Sequence, residues 1–444
     1  MKNIDNQFNQ PASSRRTTVM FSFARRTAFV LGFASAVSIL FSIAISQILL
    51  ALSMAALLLS DAKLEFPPIR LPLLLFFLDT VIALLLSADP QGGTPQIRKF
   101  FLFAIILVIC STFTTLRQVE ALIVTWAGLA SISAIWGFAQ FFQRWQEALK
   151  QHADNYGFYL DQRMTGFASH WMTFGGEEMI VALMLASYLF FLSRRTWKPY
   201  LWPLFLLLLV SIALGMTRCI FLLGLPLGML YLLWQRRRRF VLALPIAAVI
   251  GVTAAPTTVR ERVISVFRPH GDLDSNAHRT VTRIVGWEMV KTHPWIGLGP
   301  EQIGKQFTAY IPPGVRRPLP NGWYGHLHNI YLQYAAERGI PGLLAILWLI
   351  ASVLWNFWRN LKLRRVAPEA RYVLHGAIAV VLAILAEGMF EYNLGDSEVL
   401  TMFLTVIACG YVVTTHCVVL DHAAVSASAQ GTGVEPAHLM RSRD

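Results

Sequence analysis

The chain has 444 residues, of which 55% are hydrophobic and only 14% charged. Ordinary soluble domains carry about a quarter charged residues, so a single water-soluble globule is excluded and extensive contact with lipid is required. The net charge of +13 falls mainly between apolar runs. There Lys and Arg report membrane topology, so no nucleic-acid partner is expected.

About 20 residues of helix are needed to cross a hydrocarbon core of roughly 30 Å, and backbone groups at that depth must be satisfied within the segment. The apolar runs predict spans at 28–44, 46–60, 71–88, 98–115, 119–142, 174–193, 199–216, 219–234, 240–256, 329–357, 372–392 and 398–416. The stretch 28–60 is long for one upright helix and short for two. The expected fold is therefore an all-α integral membrane protein with about twelve transmembrane helices.

Residues 1–27 read as a cytoplasmic tail, with the first span as an uncleaved insertion signal. Spans one to nine occupy 28–256, a large loop 257–327, and the last three spans 328–416. A disordered cytoplasmic tail rich in Ala, Ser and Gly follows over 417–444. With the N-terminus inside, the inner segments collect Arg25, Arg26, Lys63, Arg70, Arg117, Arg194, Arg195, Lys198 and the run Arg236–Arg239. The short outer turns hold only Arg98, Lys99 and Arg218. That asymmetry supports two cytoplasmic termini and an outward-facing large loop.

The loop carries nine Lys/Arg against five acids. Loops of that length are usually functional or disordered. Helical spacing over Thr280–Thr292 and turn residues at His293-Pro294 and Gly297-Leu298-Gly299-Pro300 predict that this one is folded and partly helical. No Gly-rich nucleotide loop and no internal repeat is visible. The four cysteines, Cys110, Cys219, Cys409 and Cys417, lie in or beside apolar runs without metal or disulfide spacing, and read as small buried hydrophobes.

The densest polar constellation is His326-Leu327-His328-Asn329-Ile330-Tyr331, where the large loop enters the tenth span. His328 stands at a helix N-terminus that Asn329 can cap. Imidazole is the side chain best suited to move a proton near neutral pH. An interfacial histidine bonded to a carbonyl fits the same position. A metal site at His326 and His328 is disfavoured, because no local Cys or carboxylate completes it.

Arg218 sits alone in an outer turn, against the topological bias, and offers a fork of donors for a lipid-linked phosphate; a snorkelling anchor is the alternative. Arg279 and Arg283, four apart, share one helical face and could clamp a pyrophosphate or form a solvated basic face. Asp79, Glu387 and Glu391 fall inside predicted spans, where carboxylates are costly, and are expected to pair with arginines such as Arg338.

Four stretches together resemble the bacterial O-antigen ligase and polymerase superfamily of polytopic glycosyltransferases. They are Arg163-Met164-Thr165-Gly166; Thr217-Arg218; Arg283-x-x-x-Trp287 with His293-Pro294-x-x-Gly297-x-Gly299; and His328-Asn329-x-Tyr331-Leu332 with Glu337-x-Gly339-x-x-Gly342. The resemblance implies a multi-pass protein of the bacterial inner membrane whose active site faces the periplasm. It implies transfer of glycan from undecaprenyl pyrophosphate to a sugar of lipid A–core, without metal or other cofactor.

On that reading His328 is the general base, and Arg218 and Arg283 stabilise the pyrophosphate. Arg279, Arg163, His326, Asn329 and Tyr331 contact substrate. Direct attack by the acceptor inverts the anomeric centre. The expected partners are the carrier-linked donor, the lipid A–core acceptor and membrane lipids, with the protein a monomer. An O-antigen polymerase or protein O-oligosaccharyltransferase would share the donor and differ in acceptor. A lipid-linked oligosaccharide flippase is the reading from another class, and it should place its polar residues near the bilayer midplane.

Overall fold

A computed structural model of the chain describes residues 12–192 and 198–418. The expectations for the C-terminal tail beyond Val418, for residues 1–11, and for Arg194 and Arg195 lie outside the described residues. Between them the chain is helical, apart from connecting loops and one isolated bridge from Val366 to Val418.

The ambiguous stretch 28–60 resolves into two helices, α1 (Ala12–Ser38) and α2 (Ile43–Leu58). α1 thus begins well ahead of the predicted start of the first span. The Ser42 hydroxyl caps α2 by accepting from the Ile45 amide. The two helices run antiparallel and are joined by serines: Ser46 Oγ donates to Ser35 O at 2.9 Å, and Ser53 Oγ to Ala28 O at 2.7 Å. Small hydroxyl residues let helices approach closely where no water competes.

Next come α3 (Arg70–Leu85), α4 (Pro90–Lys99) and α5 (Ala104–Thr112), the last two continuous through a tight turn at Phe100–Phe103. The long α6 (Leu116–Lys150) runs further than the predicted 119–142. A short α7 (Asn155–Asp161) precedes α8 (Trp171–Phe191), α9 (Leu201–Leu214), α10 (Leu225–Arg236) and α11 (Ala243–Ala254). The large loop folds as α12 (Thr257–Ile264), α13 (Asn276–Thr292) and a single turn, α14 (Ile303–Gln306). The chain closes with α15 (Ile330–Lys362), α16 (Arg371–Glu387) and α17 (Ser397–His416).

Among the described residues, six helical stretches are long and apolar enough to cross a membrane: Pro90–Thr112, α6, α8, α15, Pro368–Glu387 and α17. Three shorter apolar helices accompany them, Ile43–Leu58, Lys198–Leu214 and Ile220–Arg236. Each of the twelve predicted intervals falls largely on a helix, those at 28–44, 71–88 and 240–256 on α1, α3 and α11, but six helical stretches among the described residues, rather than twelve, have the length and hydropathy of a span. The protein is an α-helical membrane protein. α8 and α17 are buried nearly all round and occupy the middle of the bundle. Outer helices turn Leu78, Leu85, Ile246 and Val249 outward, the pattern of a surface solvated by lipid.

The large loop has its own core. Val281, Val285 and Met289 of α13 pack with Leu298, Ile303, Phe307 and Leu327, and the cluster closes on Ala335 and Ala336 of α15. α15 breaks at Gly339 (φ 68°), two residues before Pro341. The break frees carbonyls, and the loop takes them: Leu298 N donates to Ala336 O at 2.8 Å and Gly299 N to Glu337 O at 2.9 Å. In return Ile340 N donates to Pro294 O at 2.7 Å. The glycine spacing in 297–299 and 337–342 is thereby explained as a seam between loop and helix.

A Cβ at Gly339 would lie 2.4 Å from the Trp295 carbonyl carbon, on top of a backbone cost of about 1–3 kcal/mol for any other residue at φ 68°, ψ 178°. Gly339→Ala is therefore expected to lower the melting temperature of the purified protein markedly. Gly314→Ala, whose Cβ meets nothing within 4 Å, should leave it unchanged.

Candidate active site

The seam holds the loop over a cavity of about 820 Å³ at one end of the bundle. Its wall combines the start of α8, the turn before α10, the first half of α13, residues 322–328, and the stretch between α16 and α17.

His328 projects from the residue before the cap of α15. Asn329 caps that helix, its side-chain oxygen accepting from Leu332 N at 2.9 Å. His328 itself adopts φ 48°, and its own amide donates to His326 Nδ1 at 3.2 Å. This tight turn aims the imidazole at Glu391, whose carboxylate lies 3.1 Å from Nδ1. A carboxylate only accepts at neutral pH, so Nδ1 carries a proton toward it, and in the neutral ring the lone pair is then on Nε2. Nε2 is buried without a hydrogen-bond partner on a residue that lines the cavity.

Glu391 is the hub of the site. Besides His328 it meets Arg279 at 3.4 Å and His326 Nε2 at 3.8 Å. Burial opposes its charge, but the hydrogen bond from His328 and the field of His328, Arg279 and His326 outweigh it and hold the carboxyl down at about 2. The surrounding imidazoles move the other way. Burial and then the neighbouring His328 push His326 down to about 3 and His278 to about 4. Both are neutral near pH 7.

Four arginines line the cavity: Arg163, Arg218, Arg262 and Arg279. Arg218 is buried between α9 and the π-helical turn Ile220–Gly224 that precedes α10. Its guanidinium donates to Ser265 O and Oγ at 3.3 and 3.2 Å, to Asn276 Oδ1 at 2.6 Å, and to Asp274 O. Arg262 binds Met216 O at 3.1 Å and Asp274 Oδ1 at 2.9 Å. Arg163 lies over the Trp171 ring, 4.9 Å from its centre. Burial, then the charges of Arg262 and Arg279, push Arg163 down to about 9 and Arg218 to about 10. Both remain cations at neutral pH.

The structure thus brings Arg163, Arg218, Arg279, His326 and His328 together around one cavity. It does not bring Arg283 there. Arg283 is exposed on α13, its Nε donating to Arg279 O at 3.3 Å and its guanidinium 6.0 Å from the Phe390 ring centre. Asn329 and Tyr331 spend their polar groups inside the fold: Asn329 Nδ2 donates to Met389 O and Tyr331 Oη to Leu385 O, both at 2.8 Å.

Glu391 lies beyond the end of α16 rather than inside a span, and it pairs with His328 as well as with an arginine. Glu387 accepts from Asn393 Nδ2 at 3.0 Å instead of meeting an arginine. Arg338 is taken by its neighbour Glu337 at 2.6 Å, and Asp79 Oδ2 has no hydrogen-bond partner. Sequence reasoning missed Glu391, Arg262 and His278 as members of the site. Glu391 is 63 positions from His328, and Arg262 was one of nine basic loop residues.

His326, His328 and Glu391 each offer a donor atom, all within 4.8 Å, the dimensions of a cation site. The hydrogen bonding fits protons better. His326 Nδ1 accepts the His328 amide, so its Nε2 bears the ring proton and points at Glu391 with no lone pair for a metal.

Residues 203–347 match the family model described as O-antigen ligase. The matched segment runs from α9 past the break in α15 and contains Arg218, Arg262, His278, Arg279, His326 and His328. Arg163 and Glu391 lie outside it, so the cavity is completed by residues on both sides of the matched segment. No curated protein matches the chain.

Proposed function

We propose that this membrane protein transfers glycan from undecaprenyl pyrophosphate to a sugar hydroxyl of lipid A–core at the periplasmic face of the bacterial inner membrane. The observation that carries the reading is His328, whose Nδ1 is held by Glu391, whose Nε2 is buried without a partner, and which lines a cavity walled by four arginines. Nε2 takes the proton of the acceptor hydroxyl as that oxygen bonds to the anomeric carbon. The bond from the anomeric carbon to the pyrophosphate oxygen breaks, and pyrophosphate leaves with the electron pair. Attack opposite the leaving group inverts the centre.

Arg218, Arg279 and Arg163 balance the charge that grows on the leaving group. Pyrophosphate leaves readily, so no strong general acid is required. Arg283, outside the cavity, is given no part in this step, and Asn329 and Tyr331 act by fixing the turn that carries His328. His326 borders the acceptor position.

Glu391 is a positioning residue on this reading. In Glu391→Gln the amide can donate to Nδ1, which places the ring proton on Nε2 and removes the base. The expected result is a fall in kcat of about 10²-fold or more with KM little changed. The Asp variant should recover part of the rate, and a loss of KM alone would assign Glu391 to binding.

The test of the whole reading is reconstitution with undecaprenyl-pyrophosphate glycan in the presence of chelator. Lipid A–core, a second carrier-linked glycan, or a peptide is offered as acceptor. Product on lipid A–core is expected; product only on the second carrier or the peptide would replace the ligase reading with polymerase or protein glycosylation.

A further inference from the structure

The Arg283-x-x-x-Trp287 motif is left over by the cavity. α13 buries Val281, Val285 and Met289 and exposes Thr280, Arg283, Ile284, Trp287 and Lys291, spaced as one face. Trp287 is 57% exposed, and Trp295, shortly after the helix, is 73% exposed with Ile296 beside it. Such large apolar side chains on a polar loop need a partner.

The patch continues into surfaces that face lipid. At one edge the Trp295 backbone packs on Gly339, and Ile340 binds Pro294 O. From there Ile340, Leu344 and Trp348 form one exposed stripe down α15, a helix long and apolar enough to cross the membrane. At the other edge the Arg283 guanidinium lies over Phe390, next to exposed Met389, just past the end of the span-length stretch Pro368–Glu387. Lys291 is neutralised by Glu288 at 2.5 Å, whereas Arg283 has no carboxylate partner among the described residues.

We infer that the outer face of α13, with Trp295 and Ile296, is seated in the headgroup region of the outer leaflet, where Arg283 binds the phosphate of anionic phospholipid. Trp at the interface and a cation on an otherwise apolar face are the composition of helices that lie in the membrane plane. Seating α13 there holds the ligase cavity at the lipid surface, whichever acceptor it serves, so the inference does not rest on the transfer reading.

Nitroxide labels on Ile284→Cys, Trp287→Cys and Ile296→Cys test this in the full chain, with its four native cysteines replaced. The protein is placed in nanodiscs containing phosphatidylglycerol. Leu344→Cys serves as the lipid reference and Arg316→Cys, on an exposed loop, as the water reference. Three positions are read independently, so one variant that fails to fold leaves two to decide.

The oxygen-to-nickel-chelate collision ratio at all three should rise well above that at Arg316, toward that at Leu344. Adding Arg283→Gln should shift the Ile284→Cys label toward water in phosphatidylglycerol discs. Ratios equal to the Arg316 value overturn the inference. So does dipolar broadening between labels, which would make a second copy of the chain the occupant. An unchanged label in the Arg283→Gln background removes the anionic-lipid contact.

Discussion

Replacing His328 with alanine should lower the rate of glycan transfer by about 10²–10⁴-fold, the usual contribution of a positioned general base. The effect is expected in kcat, because Nε2 meets the acceptor proton only as the new bond forms. Backbone strain must be kept apart from chemistry in this experiment. His328 sits at φ 48°, where alanine costs about 1–2 kcal/mol while asparagine is tolerated. His328→Asn therefore keeps the turn and loses the base. Both variants should be inactive in a reconstituted ligation assay, with the asparagine protein melting close to the parent. Near-normal transfer by either would remove His328 from the mechanism.

The second large effect is expected at Arg218, through two separable routes. Its guanidinium joins the Ser265 and Asp274 carbonyls and the Asn276 side chain, so it ties the loop between α12 and α13 to the bundle. Arg218→Ala strands these buried acceptors, at about 1–3 kcal/mol each, and the melting temperature should fall. It also removes one cation from the wall facing the leaving pyrophosphate, worth about 10²–10³ in rate. Arg218→Lys restores the charge but not the planar fork. Recovery of stability without rate, or of rate without stability, in the lysine protein shows which route dominates. If Arg218→Ala transfers glycan at nearly the parental rate, Arg218 is only a tie.

The bundle was largely legible because lipid imposes a simple rule. Apolar runs must be helices, and each predicted interval coincides largely with one. The serine bonds that join α1 to α2 were not legible, since Ser35, Ser46 and Ser53 look like any small residues in an apolar run. His328 and Arg218 stood out through position, at the mouth of a helix and in a lone outer turn. Arg283 stood out equally and lies outside the cavity, because four-residue spacing puts it near Arg279 without saying which way their shared face turns.

By itself the sequence determined that the chain enters lipid, where its helices lie, and which short motifs border one folded loop. Those are local properties, set by hydropathy and turn chemistry over windows of a few to twenty residues. Only the tertiary structure decided that Glu391 holds His328, that Arg163 and Arg262 join Arg218 and Arg279, and that the paired glycine motifs form a seam between loop and α15. These contacts join residues tens to more than a hundred positions apart. Hydrogen-bond geometry at such separations is fixed by how helices pack, which no spacing along the chain encodes.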